Sequence, residues 1–235
     1  MDKFHRVLIK ISGEALAGAK KTGYDFDLIT SVCGVLKRAS EQGTQIGIVI
    51  GGGNFWRGVK DGAGKVERVS ADRMGMLATC MNCLAVCDVL RQLGAKARVM
   101  TAVDIMGVGE RYDTRRTIEY MEAGEIVLFA GGTGAPFFST DTAAALRAAE
   151  IHADAILLAK NIDGVYSADP KLDPTAVKYD RIRYDEVLAK RLAVMDSTAT
   201  SLAMDNEIPV IVFALAEPEN ILRVLRGEAV GTTVE

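Results

Sequence analysis

Three glycine turns carry the residues of this chain best suited to chemistry. The first follows VLIKI, where Lys10 puts a cation into a run that otherwise reads as a buried strand, and Ser12-Gly13 then turns directly into GEAL. A strand, a glycine turn and a helix start leave several backbone N–H groups aimed at one point, which suits an anion with Lys10 as counter-charge. The structural alternative is an edge position from which Lys10 reaches water along its aliphatic stem. The second turn is Gly51-Gly52-Gly53-Asn54, directly after IGIVI and followed by Phe55-Trp56-Arg57-Gly58. Consecutive glycines let backbone N–H groups converge on a ligand without Cβ interference, and Arg57 adds a planar, permanently charged fork that matches phosphate oxygens. A flexible turn is the plainer reading of the same glycines.

The third turn, Gly131 to Asp141, again leaves an apolar strand and enters a helix. Ser139, Thr140 or Asp141 can cap that helix, but eleven residues with hydroxyls, open backbone and two aromatics are more than a cap needs. They suggest a pocket for a polar, ring-bearing ligand. In an open parallel sheet the C-terminal strand ends lie along one edge, where ligands bind, so three such turns carry more weight together than any one alone. No G-x-x-x-x-G-K-[ST] occurs, and no G-x-G-x-x-G lies in a βαβ frame with a later acidic residue, so phosphate chemistry here uses another design. Cys80, Cys83 and Cys87 have a spacing that invites a metal, yet on a helix they fall with Met76 and Leu90 on one apolar stripe, which reads as core.

The elements that must position these turns alternate regularly. Apolar runs at 4–11, 44–50, 95–101, 125–130, 154–159 and 209–214 read as strands; 26–42, 71–93, 113–123, 141–152, 184–191, 196–206 and 217–226 read as helices. Near-continuous apolar strands mean that both sheet faces are covered, so the fold class expected is an α/β three-layer sandwich around a mainly parallel sheet. No linker, repeat or low-complexity tract divides the chain, which reads as one domain of two lobes. With 28 Lys+Arg against 31 Asp+Glu in 235 residues, the net charge of −3 does not advertise nucleic acid or an anionic membrane as partner. No stretch approaches the ~18 uninterrupted apolar residues of a membrane helix, and MDKFHRVLIKIS reads as the start of a strand rather than a signal peptide. The location expected is cytoplasmic. The helix over 71–93 is apolar nearly all round, so it should be covered on more than one side, in part by a neighbouring subunit.

LIKISGEAL, IVIGGGNFWRG, DRMGMLATCMN, GGTGAPFFSTDTAA, KNIDGVYSADPKLDP and LAVMDSTA resemble, in order and spacing, segments of the bacterial-type uridylate kinases of the amino acid kinase superfamily, over residues 4 to 234. The resemblance implies an open, mainly parallel eight-stranded sheet in an αβα sandwich, with a UMP-binding lobe over about residues 1–150 and an ATP-binding lobe over 151–235. The activity implied is phosphorylation of UMP by ATP, with Mg²⁺ carried in as MgATP rather than fixed by the protein alone. By the same resemblance, Lys10, Ile11, Ser12 and Gly13 hold ATP phosphates together with Gly53 and Arg57, while Lys160, Asn161, Tyr166 and Asp169 clamp the adenosine. UMP falls to Gly52, Asp72 and the segment Thr133, Gly134, Ala135, Pro136, Phe137, Phe138, Ser139 and Thr140. Asp72 fits a sugar-hydroxyl acceptor chemically, and a helix N-cap is its structural alternative. Asp141 and Asp196 match acidic positions that join Lys10 and Arg57 in catalysis, each equally readable as an N-cap. The family also implies a homohexamer.

Three departures bear on regulation and specificity. Ala135 stands where the family usually has Asn. The loop Gly18, Ala19, Lys20, Lys21, Thr22 and Gly23, linked in many members to GTP activation, lacks the usual Gly-aromatic pair, and Cys87 and Arg91 replace basic residues that some members use for that effector. Activation by GTP and inhibition by UTP are therefore left open by the sequence. The rival readings are a relative that phosphorylates a carboxylate, against which the TGxPFF and DxMGMLAT segments speak, and a non-catalytic nucleotide or oxyanion store, against which Lys10, Arg57 and Asp141 speak. UMP's phosphate, with a second pKa near 6, is mostly a dianion at pH 7 and needs no general base, consistent with only two histidines, His5 and His152, away from the glycine turns.

Overall fold

The structure, a computed structural model, describes residues 4–57, 64–170 and 172–235; Gly58, which closes one quoted segment, and Lys171, inside another, lie outside them, as does the chain start at 1–3. From β1 (Arg6–Ile11) the chain passes through the one-turn helix α1 (Gly13–Leu16) and a 3₁₀ turn to α2 (Phe26–Glu41), β2 (Gln45–Ile50) and the long helix α3 (Arg68–Gln92). There follow β3 (Ala97–Thr101), β4 (Glu110–Arg111), α4 (Thr114–Glu122), β5 (Ile126–Ala130), α5 (Thr140–Glu150) and β6 (Ala155–Lys160). A hairpin of β7 (Val165–Tyr166) and β8 (Lys178–Tyr179) precedes β9 (Arg181–Ile182), α6 (Tyr184–Lys190), α7 (Ser197–Asp205), β10 (Val210–Ala214), α8 (Asn220–Leu225) and β11 (Thr232–Val234).

Nine strands form one sheet in the order β4-β3-β5-β2-β1-β6-β10-β11-β9, and only the β10–β11 pairing is antiparallel. The sheet has nine strands rather than the eight expected: to the six apolar runs it adds the three-residue β11 and, at its edges, the two-residue strips β4 and β9, too short for any periodicity to reveal. All six apolar runs read as strands are strands, and all seven helical readings are helices. β1 is central, with β2–β5 on one side and β6 and β9–β11 on the other, so its C-terminal end lies where the strand order reverses.

Two apolar cores fill the sandwich. Residues of α1, α2, α3 and α8 pack on one face of the sheet with Val7, Ile9 and Ile11 of β1; α4, α5, α6 and α7 pack on the other, with Leu8. Strand alternation therefore sends Lys10 to the second face, towards α5. On α3, Cys80, Cys83, Cys87 and Leu90 take core positions as their spacing predicts, and burial pushes the Cys33 thiol beside them up to about 12. By length and composition alone α3 could cross a membrane, but half of its apolar window is buried inside the structure.

Candidate active site

Lys10 is not an edge residue. It lies on the central strand, 7% exposed, with its Nζ 2.6 Å from Asp141 Oδ1 in the first turn of α5. Asp141 is free to face Lys10 because the N-cap of α5 is Ser139, whose hydroxyl accepts the N–H groups of Asp141 and Thr142. Lys160, at the end of the adjacent strand β6, joins this cluster. Burial lowers its pKa; the charge of Asp141 opposes that shift and the charge of Lys10 adds to it. The Lys160 ammonium donates to the Val194 carbonyl. Two lysines around one carboxylate at the end of β1 and β6 form a net positive site for a polyanion.

Asp196 is the N-cap of α7, accepting from the Ala199 N–H at 3.0 Å. It also accepts hydrogen bonds from the Ser139 hydroxyl and, at 3.1 Å, from Thr142 Oγ1. Its cap role is thus real, and the same carboxylate ties together the starts of α5 and α7.

A cleft of about 870 Å³ opens from Lys10, Ser12 and Asp141 along the segment from Lys160 to Pro170, which includes Asn161, Tyr166 and Asp169. The hairpin is braced by Asp163, which accepts from Tyr166 Oη at 2.8 Å and from Lys178 Nζ at 2.9 Å, the latter holding its carboxyl below the ordinary range. A second cavity, about 310 Å³, is lined by Gly52, Gly53, Arg57, Asp72, Thr133, Phe138, Ser139 and Thr140, with Trp56 and residues of α3. The two cavities meet in the sequence itself: Thr140 lines the smaller and Asp141 the larger.

Several expected site residues fall elsewhere. Ile11 is fully buried in the core and its carbonyl is taken by the Gly51 N–H, because strand alternation turns it away from Lys10. Gly53 and Arg57, expected with Lys10 along one ligand, line the smaller cavity, since they follow β2, one strand over from β1. Arg57 Nη2 is held at 2.7 Å by Glu14 Oε1. Gly134, Ala135, Pro136 and Phe137 do not line the smaller cavity. Asp72 is not an N-cap: α3 begins at Arg68, with Glu67 as its N-cap, so Asp72 sits one turn inside. Its Oδ2 accepts from Arg68 Nε at 2.7 Å and from the Phe137 N–H at 2.8 Å, while the Arg68 guanidinium lies 5.0 Å from the Phe137 ring centroid. Phe137 itself has φ 72°, a left-handed conformation that residues with a Cβ rarely adopt. Residues 18–23 line neither cavity; Ala19, Lys20 and Lys21 are exposed.

Sequence reasoning missed Arg68, Glu14 and the buried pair Asn54 and Asn82. The i,i+4 spacing of Arg68 and Asp72 was one signal, and a polar Asn82 in an otherwise apolar helix was another. Among the described residues no group of three or more His, Cys, Asp or Glu is placed to hold a metal ion.

Comparison with known proteins bears on this geometry. Residues 5–214 match the model of the amino acid kinase family. The chain is similar to a curated uridylate kinase of Limosilactobacillus reuteri, 52% identical over 234 residues that cover 99% of this chain and 98% of that one. Among solved structures it superposes on a UMP kinase from Bacillus anthracis with TM-score 0.95 and 37% identity, covering 99% and 96% of the two chains. A UMP kinase from Ureaplasma parvum gives TM-score 0.92 and 36% identity, covering 98% of each.

Proposed function

The chain belongs to the amino acid kinase family, and from that membership we propose that its two cavities hold MgATP and UMP and that the γ-phosphoryl passes directly between them. The enzyme phosphorylates UMP to UDP, a phosphotransferase step of pyrimidine nucleotide synthesis. The observation that carries the placement is the junction at Thr140 and Asp141, where the larger, lysine-headed cleft and the smaller, glycine-lined cavity adjoin.

In this reading the adenosine lies along Asn161, Tyr166 and Asp169, and the phosphates reach Ser12, Gly13, Lys10 and Lys160. UMP lies in the smaller cavity. Its phosphate meets the N–H groups of Gly52 and Gly53 and the Arg57 guanidinium, and its ribose hydroxyls meet Asp72 Oδ1, the oxygen not already taken by Arg68 and Phe137. Thr133 and Phe138 flank the rest of the nucleotide. An oxygen of the UMP phosphate attacks the γ-phosphorus, the bond to the β-phosphate oxygen breaks, and ADP leaves with that electron pair. The acceptor is already a dianion, so no side chain has to remove a proton. Neither His5 nor His152 lines either of these two cavities, in keeping with a reaction carried by positioning and charge. Lys10 and Lys160 neutralise the charge that builds on the transferring group, and Asp141 fixes Lys10 in place. Mg²⁺ arrives with ATP as part of the substrate and shields its phosphates. A coupled ADP-release assay with UMP, CMP, dUMP, acetylglutamate, aspartate and glutamate tests this reading: UMP should be the preferred acceptor, and turnover of a carboxylate in its place would overturn it. The same assay with GTP or UTP added reads the effector responses.

We place the enzyme in the cytoplasm as a homohexamer, and α3 supports its self-association. Met74, Leu77, Met81 and Leu84 form an apolar stripe along its outer side, each between 40% and 53% exposed. Such a contiguous stripe is more than isolated surface apolar residues explain. Light scattering at micromolar concentration should give a mass well above one 25.2 kDa chain, and Leu77→Glu with Met81→Glu should lower it. A wild-type monomer would contradict the assembly.

A further inference from the structure

Beneath the second glycine turn lies a polar cluster that the reaction does not touch. Asn54 and Asn82 are 1% and 0% exposed and form a reciprocal amide pair: Asn54 Nδ2 donates to Asn82 Oδ1 at 3.0 Å, and Asn82 Nδ2 donates to Asn54 Oδ1 at 2.7 Å. Each amide has one further partner. Asn54 Nδ2 donates to the Gly23 carbonyl at 3.0 Å, and Asn82 Nδ2 to the Gly51 carbonyl at 2.6 Å. Asn82 lies in the middle of α3, where an apolar residue would pack at lower desolvation cost, so a buried amide there calls for a specific use.

The Gly51 contact supplies one. No peptide bond in the described chain is cis, so the Gly52 N–H points opposite to the Gly51 C=O across one planar unit. Drawing the carbonyl inward to Asn82 turns the N–H outward, on the side of the smaller cavity that Gly52 lines. Among the described residues neither the Gly52 nor the Gly53 N–H donates to a protein group, so both are available to a ligand. With glycine on both sides, this peptide has little resistance of its own to flipping.

We propose that Asn82 is a positioning residue for UMP, holding the Gly51–Gly52 peptide so that its N–H faces the acceptor phosphate. This rests on the reading above, in which the smaller cavity takes UMP. Asn54 shares the same buried pair and a comparable stability cost but does not hold the Gly51 carbonyl, which makes it the internal control.

Asn82→Ala should lower kcat/KM for UMP about 10- to 100-fold, the range expected for losing one hydrogen bond to a charged group, while KM for ATP moves less than about twofold. Asn82→Asp should act at least as strongly, because a carboxylate repels the Gly51 carbonyl and drives the flip. Asn54→Ala should lower the melting temperature by a similar amount without the UMP-specific loss. Asn82→Ser, which keeps a hydroxyl but not the reach of the amide, serves if the alanine variant does not fold, and should lie between wild type and Asn82→Asp. Equal losses for UMP and ATP, or equal kinetics for the Asn54 and Asn82 variants at matched stability, would overturn the proposal. Wild-type enzyme that fails to turn over UMP would instead overturn the functional reading, so the two failures are distinct.

Discussion

Lys10→Ala should reduce phosphoryl transfer to UMP by about a thousandfold or more, with the larger part of the loss in kcat. One preorganised donor at developing charge is worth about 10²- to 10³-fold. The loss here exceeds that of a single donor because Asp141, 2.6 Å away and only 19% exposed at its side chain, would face the γ-phosphate with Lys160 as its remaining counter-charge. Removing one member of such a partly buried pair also destabilises the fold, by up to about 3 kcal/mol once solvent access is allowed for. Steady-state ADP release gives the rate and thermal unfolding gives the stability. Adding Asp141→Asn to the alanine variant should return part of both, since the repulsion goes with the charge. A single Lys10→Ala variant that keeps a tenth of wild-type turnover would mean that Lys10 does not face the transferring group.

Gly13→Ala should be nearly as damaging by a different route. A Cβ on residue 13 would stand 2.2 Å from the Gly51 carbonyl oxygen and 2.7 Å from Asn54 Oδ1. The first of these is backbone, and it belongs to the turn that follows the neighbouring parallel strand, so no rotamer change relieves the clash. The β1 and β2 turns must part, and with them the two anion sites that they build. The expected result is a loss of at least about 2 kcal/mol of stability, at the upper end for overpacking, together with more than a hundredfold in kcat/KM for both substrates. Loss on both sides distinguishes this variant from those at Asn82. Near-normal melting and kinetics would require that the two turns are separable after all.

What could be read from residues alone was whatever leaves a periodic or punctuated trace. The six core strands, the glycine turns at their ends and the face on which Lys10 stands follow from alternation and from a cation out of place. The stripe of Cys80, Cys83 and Cys87 was legible as core for the same reason. Strands of two residues have no period, so β4 and β9 were invisible. Asp72 looked like a cap because a carboxylate near a helix start is ambiguous by a turn; the helix in fact begins at Arg68. Gly53 and Arg57 were grouped with Lys10 by the family resemblance, whereas they follow the neighbouring strand β2 and line the smaller cavity. Asn82 announced only that a polar side chain was present in an apolar helix, since its partners lie 28 and 31 residues away.

The carboxylate of Asp196 has a consequence for the order of assembly. It completes the cap of α7 locally, but its bonds to Ser139 and Thr142 span 57 and 54 residues of chain. Those contacts form only when the chain between α5 and α7 is closed into a long loop, whose entropy must be lost first. The starts of α5 and α7 are therefore coupled through one carboxylate, and in partial unfolding they should be released together.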